Sequence, residues 1–453
     1  MVWRIAMLEE FGREKGITMS DTNFWIPVYQ CFDFDVPLST PEELEKLYVQ
    51  RVNSPVEELV SSLDMEGKPA KFLLAGHKGS GKTTELKKLE YELSSNYSVI
   101  WVDTATALDR YNIGYAEVVA LIGFEIYRTV IQDDWGIDED LLGALRSSLM
   151  TVAEQTESTQ DEGLGVPEFL QKFGLVLKGG LSRKTTAKVD IRPSLSTIIR
   201  RVNSIIKAAE KQTAQKLLVI VDGLDRHNQA TALEMFSDSL LAEPCCHIIY
   251  TIPISLRYCS GFRQAVEVFE SLDLTNPPVF KCDRNGCPTQ EPDEEGRKLL
   301  DSAVHKRLAS LGTGYQDIFA PDALELLCEK SGGVMRDLIR LAGIACKVAK
   351  RKQAASIDIA IAEEAVKKLH NYYRIYDFHF PELAAIHRTG QLTTNKHSLP
   401  ERGEFVICDD LLQNKLALGY HDEATGRRWY DINPILIEDL KPWKATNPES
   451  HAS

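Results

Sequence analysis

The sequence contains no apolar run long enough to cross a bilayer, since no window approaches the roughly 18 apolar residues such a helix needs. Its opening stretch, MVWRIAMLEEFGREKG, lacks the apolar segment of a signal peptide, so a cytoplasmic protein without a membrane partner is expected. Basic residues are not in excess. There are 52 Lys and Arg against 66 Asp and Glu, a net charge of -14, and non-specific DNA binding needs the opposite balance to neutralise phosphates. A local basic patch is still compatible with that balance. Nor does cysteine form a framework: the nine (Cys31, Cys245, Cys246, Cys259, Cys282, Cys287, Cys328, Cys346, Cys408) are odd in number, scattered, and mostly inside apolar runs. That pattern suits reduced thiols in a core rather than disulfides. Cys282 and Cys287 lie close in sequence, but a structural zinc site normally shows a second ligand pair at comparable spacing. Only Cys259 and His305 are nearby candidates. No internal repeat is visible, and no low-complexity tract outside the extreme C-terminus.

What is present is ordinary globular composition, 43% apolar and 26% charged, over 453 residues. Two or three domains are expected at that length. The first part, residues 1–44, interleaves Phe24, Trp25, Tyr29, Phe32 and Phe34 with acids, a cluster expected to pack against a neighbouring domain. From Pro41 the apolar spacing becomes helical, through Leu44, Leu47, Tyr48, Val56, Leu59, Val60 and Leu63. Phe72-Leu73-Leu74-Ala75 then reads as a buried strand, followed by a Gly-rich turn and a helix bearing Leu86, Leu89 and Leu93. Further strands are expected over 97–102, 217–221 and 247–252, with helices near 115–132, 139–155 and 194–210 between them. Strands alternating with helices imply a parallel sheet covered on both faces. The alternation breaks at about 156–193, where Gly179-Gly180 between two mixed runs predicts an inserted hairpin. After residue 290 the pattern is helical over about 294–311, 322–331 and 334–351, and the last region, 355–445, ends in short strands. The expected division is therefore an α/β core at 45–290, a helical lid at 291–354, a C-terminal domain at 355–445 and a tail at 446–453.

Gly76-His77-Lys78-Gly79-Ser80-Gly81-Lys82-Thr83 fits G-x-x-x-x-G-K-[ST] and lies between an expected strand and an expected helix. Glycines in such a loop let successive N–H groups face phosphate oxygens at the positive end of the following helix. Lys82 is expected at the β- and γ-phosphates of ATP, Thr83 on Mg2+, and Thr84 at the α-phosphate. A P-loop also needs an acid at a neighbouring strand end for the metal. Leu217-Leu-Val-Ile-Val-Asp222-Gly-Leu-Asp225-Arg226 supplies Asp222 as the metal's partner. Asp225, three residues on, either orients the attacking water or caps a helix.

These motifs resemble the AAA+ and STAND ATPases, closest to the NACHT-like and ORC/Cdc6-like branches, over about residues 45–445. The resemblance implies a P-loop NTPase sheet with a helical lid and a C-terminal winged-helix domain, its wing near Leu411 to Pro434. It implies a sensor 1 role at the γ-phosphate for Thr251, at the end of His247-Ile-Ile-Tyr-Thr251. It also implies a sensor 2 role for Arg336 in Ser331-Gly-Gly-Val-Met-Arg336, reaching back to bound phosphates; the alternative is a solvated helix residue. Most AAA+ hydrolases carry Asp-Glu where this chain has Asp222-Gly223. STAND proteins often have the Asp-Gly form and resemble slow nucleotide switches. The expected function is a slowly hydrolysing, oligomerising ATPase switch that controls a separate effector protein, as in antiviral defence signalling. The alternative is an ORC/Cdc6-like ATPase acting on DNA, disfavoured by the acidic balance of residues 355–453. Arg226 and Arg257 are the candidates for a cation supplied to a neighbouring subunit.

Overall fold

The computed structural model describes residues 24–446 except 53, 66, 109–113, 159–191, 238, 260, 266, 313–314, 316, 394–395, 400–402 and 423–424. The hairpin expected within 156–193, the tail after residue 446 and the first half of the N-terminal segment lie outside the described residues. Two compact units are present: Pro55–Gly76 with Leu89–Asp273, and Met1–Ser54 with His77–Lys88 and Leu274–Ser453.

The first unit is built on a sheet. Strands β1 (Lys71–Gly76), β2 (Tyr97–Asp103), β3 (Lys216–Asp222), β4 (His247–Pro253) and β5 (Glu270–Leu274) take the order β2-β3-β4-β1-β5. The pairs β1–β4, β2–β3 and β3–β4 are parallel. Phe72 to Ala75 and Leu217 to Val221 are continuously buried, as strands covered on both faces must be. Helices Tyr115–Gln132, Glu139–Ser158 and Arg192–Thr213 fall where apolar periodicity predicts them. Leu195, Ile198, Ile199, Val202, Ile205, Ile206 and Ala209 recur every three or four residues and join the sheet's core cluster. The Leu, Ile and Val side chains among them each contribute about 1.5–3 kcal/mol on full burial. At Gly123 a Cβ would stand 3.2 Å from Val202 Cγ2, so two helices cross closely there. Register then sets the functional edge: Gly76 lies opposite Pro253, Val221 opposite Tyr250, and Asp103 opposite Asp222. The chain thus delivers Gly76, Asp222 and Thr251 to the carboxyl ends of adjacent strands, where open α/β sheets bind ligands.

The second unit is mostly helical. Thr40 and Glu43 form a capping box around Pro41, which starts the helix Pro41–Leu47. Helices Glu294–Ala309, Pro321–Lys330, Met335–Lys352 and Ile359–His370 follow the expected pattern. The N-terminal aromatics pack onto this group. Phe24 stacks on Tyr315 with centroids 5.2 Å apart, Phe32 meets Phe319 edge-on at 5.9 Å, and Arg340 lies over the Phe34 ring at 5.0 Å. Three hairpins complete the unit: β6–β7 (Phe280–Cys282, Pro288–Pro292), β8–β9 (Lys396–Leu399, Gly403–Val406) and β10–β11 (Ala417–Asp422, Arg427–Ile432). Helices Phe380–Thr389 and Ile407–Gln413 precede the last of these. The hairpin β6–β7 is absent from the sequence-based reading, because its strands carry no alternating apolar pattern to announce it.

Candidate functional site

Strand β1 ends at Gly76, the loop follows directly, and the helix Lys82–Leu93 starts at the motif lysine. Gly79 has φ +89° and Gly81 φ +110°, torsions that L-residues with a side chain seldom adopt. Space forbids a side chain as well. A Cβ on Gly79 would lie 2.9 Å from Arg336 Cβ, and one on Gly81 would lie 2.9 Å from Arg51 Nη2. The turn is closed by Ser80 N–H donating to His77 O at 3.1 Å and Glu85 N–H donating to Gly81 O at 3.0 Å. Lys82 is 4% exposed and its Nζ donates to His77 O at 3.0 Å. Among the described residues the Ser80 hydroxyl and Arg51 Nη1 are buried without a hydrogen-bond partner, polar groups that a bound anion would satisfy.

Three contacts hold the loop in shape. The backbone N–H of Arg336 donates to Gly79 O at 3.1 Å. This places the first turn of the helix Met335–Lys352 against the loop. Arg51 is buried beside the loop. Its Nη2 donates to Ser80 O, and its Nε is 3.4 Å from Glu85 Oε1. Glu85 also accepts from the hydroxyls of Tyr48 at 2.9 Å and Ser54 at 2.7 Å. Burial, then the Glu85 charge, pushes the Tyr48 hydroxyl above its ordinary pKa, which keeps it a donor. The third contact joins His77, 1% exposed, to the β10 backbone: Gly419 N–H donates to His77 Nε2 at 2.9 Å. Burial, followed by the Lys82 and Lys415 charges, lowers the His77 pKa to about 3. The ring is therefore neutral. None of Arg51, Glu85 or Gly419 stands out in the sequence; Glu85 reads there as an ordinary first-turn acid.

In the sheet unit, Asp222 ends β3 and Thr251 lies in β4. Thr251 is fully buried. Its hydroxyl donates to Asp222 Oδ1 at 3.0 Å and accepts from the Gly223 N–H at 2.9 Å. Thr104, the residue after β2, donates to Asp222 O at 2.8 Å. Gly223 has φ +102°, and a Cβ there would meet Thr104 Oγ1 at 2.8 Å and Ala105 N at 2.9 Å. A glutamate after Asp222 is thus excluded by geometry. Asp225 sits in the short turn Leu224–Arg226 and does not cap the α-helix that follows. That helix, Gln229–Phe236, is capped by Asn228, whose side chain accepts from Thr231 N–H at 2.8 Å. Arg226 is exposed. Arg257 instead pairs with Asp273 in its own unit and lies 5.8 Å from the Phe262 ring centroid.

A cavity of about 660 Å³ lies in the helical unit, lined in part by Val52, Pro277, Pro278, Lys281, His421 and Trp429. Val52 follows the loop-contacting Arg51, and Trp429 packs with Val334, two residues before Arg336. Cys282 and Cys287 flank the β6–β7 turn, where Asp283 Oδ1 accepts from the Cys287 and Asn285 N–H groups at 2.8 Å each. Among the described residues no group of three or more His, Cys, Asp or Glu side chains is arranged to hold a metal, and no helix is long and apolar enough to cross a membrane.

Residues 52–237 match the KAP family P-loop domain. None of the curated proteins matches the chain. Among solved structures, the chain is similar to the ORC2 protein of Aeropyrum pernix in its ADPNP and ADP complexes at 14% identity, covering 94% of this chain and 98% of that one, TM-score 0.44. Cdc6p of Pyrobaculum aerophilum is similar at 10% identity over 92% and 100% of the two chains, TM-score 0.36. The RuvB Holliday junction branch migration motor of Thermotoga maritima is similar at 16% over 90% and 99%, TM-score 0.37. The strand order, the glycine loop at the end of β1 and the match over 52–237 together give a P-loop NTPase fold.

Proposed function

We propose that the protein binds ATP with Mg2+ at Gly76–Thr84, hydrolyses it slowly, and acts as a switch that assembles with itself or with a separate effector protein. The observation that carries this reading is the loop itself. Two left-handed glycines turn it ahead of Lys82, and Arg336 packs against its outer edge. In this reading Lys82 neutralises the β- and γ-phosphates, Thr83 and Asp222 hold Mg2+, and Thr84 meets the α-phosphate. Magnesium supplies charge neutralisation between those phosphates. Thr251, at the sensor 1 position, acts through the Asp222 carboxylate it orients. Arg336 approaches the γ-phosphate and couples the lid to the nucleotide's state. The cavity lined in part by Val52 and Trp429 is the place assigned to the base.

Slow turnover is supported by Gly223. The position that carries glutamate in fast hydrolases cannot bear a side chain here, so Asp225 is left to orient water. Domains at 45–290, 291–354 and 355–445, the last winged-helix-like, fit a switch whose lid and C-terminal part respond to ATP. The resemblance to STAND proteins points to defence signalling as the setting. The net charge of -14 weighs against DNA as the partner. Arg226, exposed beyond the end of β3, is the cation assigned to a neighbouring subunit; Arg257 is taken up by Asp273.

Calorimetry should show magnesium-dependent ATP binding that Lys82→Ala abolishes, and equal affinity in that variant would overturn the binding site. Light scattering with a non-hydrolysable ATP analogue should show a larger mass than with ADP, and Arg226→Ala should reduce the difference. A monomer under both conditions, with no partner retained, would overturn the switch.

A further inference from the structure

The P-loop motif leaves its second position open to any residue, and this chain places a histidine there. His77 does not face solvent. Its ring is buried, and Nε2 accepts the backbone N–H of Gly419 at 2.9 Å. An imidazole nitrogen that accepts must lack a proton, so the ring is the neutral tautomer with hydrogen on Nδ1. The same ring's backbone carbonyl receives Lys82 Nζ at 3.0 Å. One residue therefore touches both the motif lysine and the strand β10.

The hairpin β10–β11 is also fixed to the turn ahead of Arg336. The Tyr420 hydroxyl donates to Gly332 O at 3.1 Å, and Lys415, just before β10, pairs with buried Asp337. Arg336 N–H in turn donates to Gly79 O at 3.1 Å. The contacts close a ring from loop to sensor turn to hairpin and back to the loop through His77. Among the described residues His77 Nδ1 has no hydrogen-bond partner, so the Gly419 N–H is the contact that fixes the ring, and opening the hairpin would remove it from a residue whose carbonyl also holds Lys82.

We propose that His77 is a positioning residue that couples the phosphate loop to the C-terminal hairpin, so that docking of β10–β11 sets nucleotide affinity. The proposal rests on the nucleotide-binding reading above and adds to it a route by which a pull on the C-terminal region releases nucleotide. Coupling of this kind is reciprocal. Nucleotide must therefore stabilise the docked hairpin by the same factor by which docking improves affinity.

The test compares wild type, His77→Leu and His77→Gln, using ADP and a non-hydrolysable ATP analogue. Glutamine keeps an acceptor for the Gly419 N–H, whereas leucine fills the space without one. His77→Leu should weaken both nucleotides about tenfold and speed amide exchange over residues 417–422. His77→Gln should restore most of both. Nucleotide should slow exchange of that strand in wild type and His77→Gln but not in His77→Leu. If leucine lowers the melting temperature too far for binding measurements, His77→Asn, polar but shorter, takes its place. Wild-type affinity together with wild-type exchange in a folded His77→Leu protein would overturn the coupling. Failure of wild type itself to bind nucleotide would instead overturn the underlying reading; exchange of residues 417–422 without ligand would still decide whether His77 holds the hairpin.

Discussion

Thr251 spends both sides of its hydroxyl within the strand ends. It donates to Asp222 Oδ1 at 3.0 Å and accepts from Gly223 N–H at 2.9 Å. With no exposed surface, it can influence the proposed metal site only through the orientation of Asp222. Groups that orient a metal ligand typically matter 10–100-fold, roughly, in affinity or activity.

Thr251→Val, close in shape but without the hydroxyl, should therefore lower ATP turnover by about 10–100-fold and raise the magnesium needed for half-maximal rate. Thr251→Ser should recover most of the loss. Magnesium titrations of the ATPase rate check this, and an unchanged magnesium requirement in Thr251→Val would separate Thr251 from Asp222.

Gly223→Glu restores the acidic pair of faster hydrolases on paper, and it should fail. The residue would have to adopt φ +102° with its Cβ 2.8 Å from Thr104 Oγ1. Strain of this kind costs roughly 1–3 kcal/mol before any clash is counted. Thermal denaturation should show a lower midpoint with no gain in turnover. A faster enzyme of native stability would mean that the β2 and β3 ends yield more readily than their contacts indicate.

Arg336→Ala should leave ADP affinity nearly intact while reducing the preference for ATP. A ligand shifts a conformational equilibrium only by its differential contact with the two states, and in the proposed site this cation is what distinguishes a γ-phosphate. Protease protection by ATP relative to ADP measures the effect. Equal ratios in wild type and variant would return Arg336 to a packing role on Gly79.

Acid should weaken the loop. His77, held near a pKa of about 3 by burial, Lys82 and Lys415, would titrate near 6.5 once released. A folded-state pKa below the free value means that the stabilisation is complete above about pH 6.5 and is lost progressively toward pH 3. Each such group changes stability by up to about 1.4 kcal/mol per pH unit within that window. His247, lowered to about 4 by burial and then by Lys216 and Lys71, acts in the same direction. Melting temperature followed from pH 7 to 5 should therefore fall less steeply in His77→Gln than in wild type. Parallel curves would leave His77 without a part in the acid response.

Much of this was legible in the sequence because the signals are local. Four buried apolar residues before a glycine loop make a strand and a P-loop, and Ile198 to Ala209 repeat at the spacing of a helix face. The contacts that hold the site are not local. His77 and Gly419 are 342 residues apart, and the Arg51–Glu85 pair joins residues on either side of β1. No periodicity connects such partners. The role left open for Asp225 as a cap was decided by the neighbouring Asn228, whose side chain reaches Thr231 N–H. Arg257 is claimed by Asp273, sixteen positions along, a pairing that no local pattern announces.

The β10–β11 register has a kinetic meaning. Trp429, which lines the cavity assigned to the base, stands opposite Tyr420, and Gly419, which holds His77, stands opposite Tyr430. The wall of the base cavity and the catch on the phosphate loop thus belong to a single two-stranded piece. If that piece must swing away before nucleotide leaves, base and phosphates are released in one event. The lifetime of the bound state is then the lifetime of a closed door. If hydrolysis is slow, as proposed for the Asp222-Gly223 turn, nucleotide exchange through that door would be the clock that resets the protein.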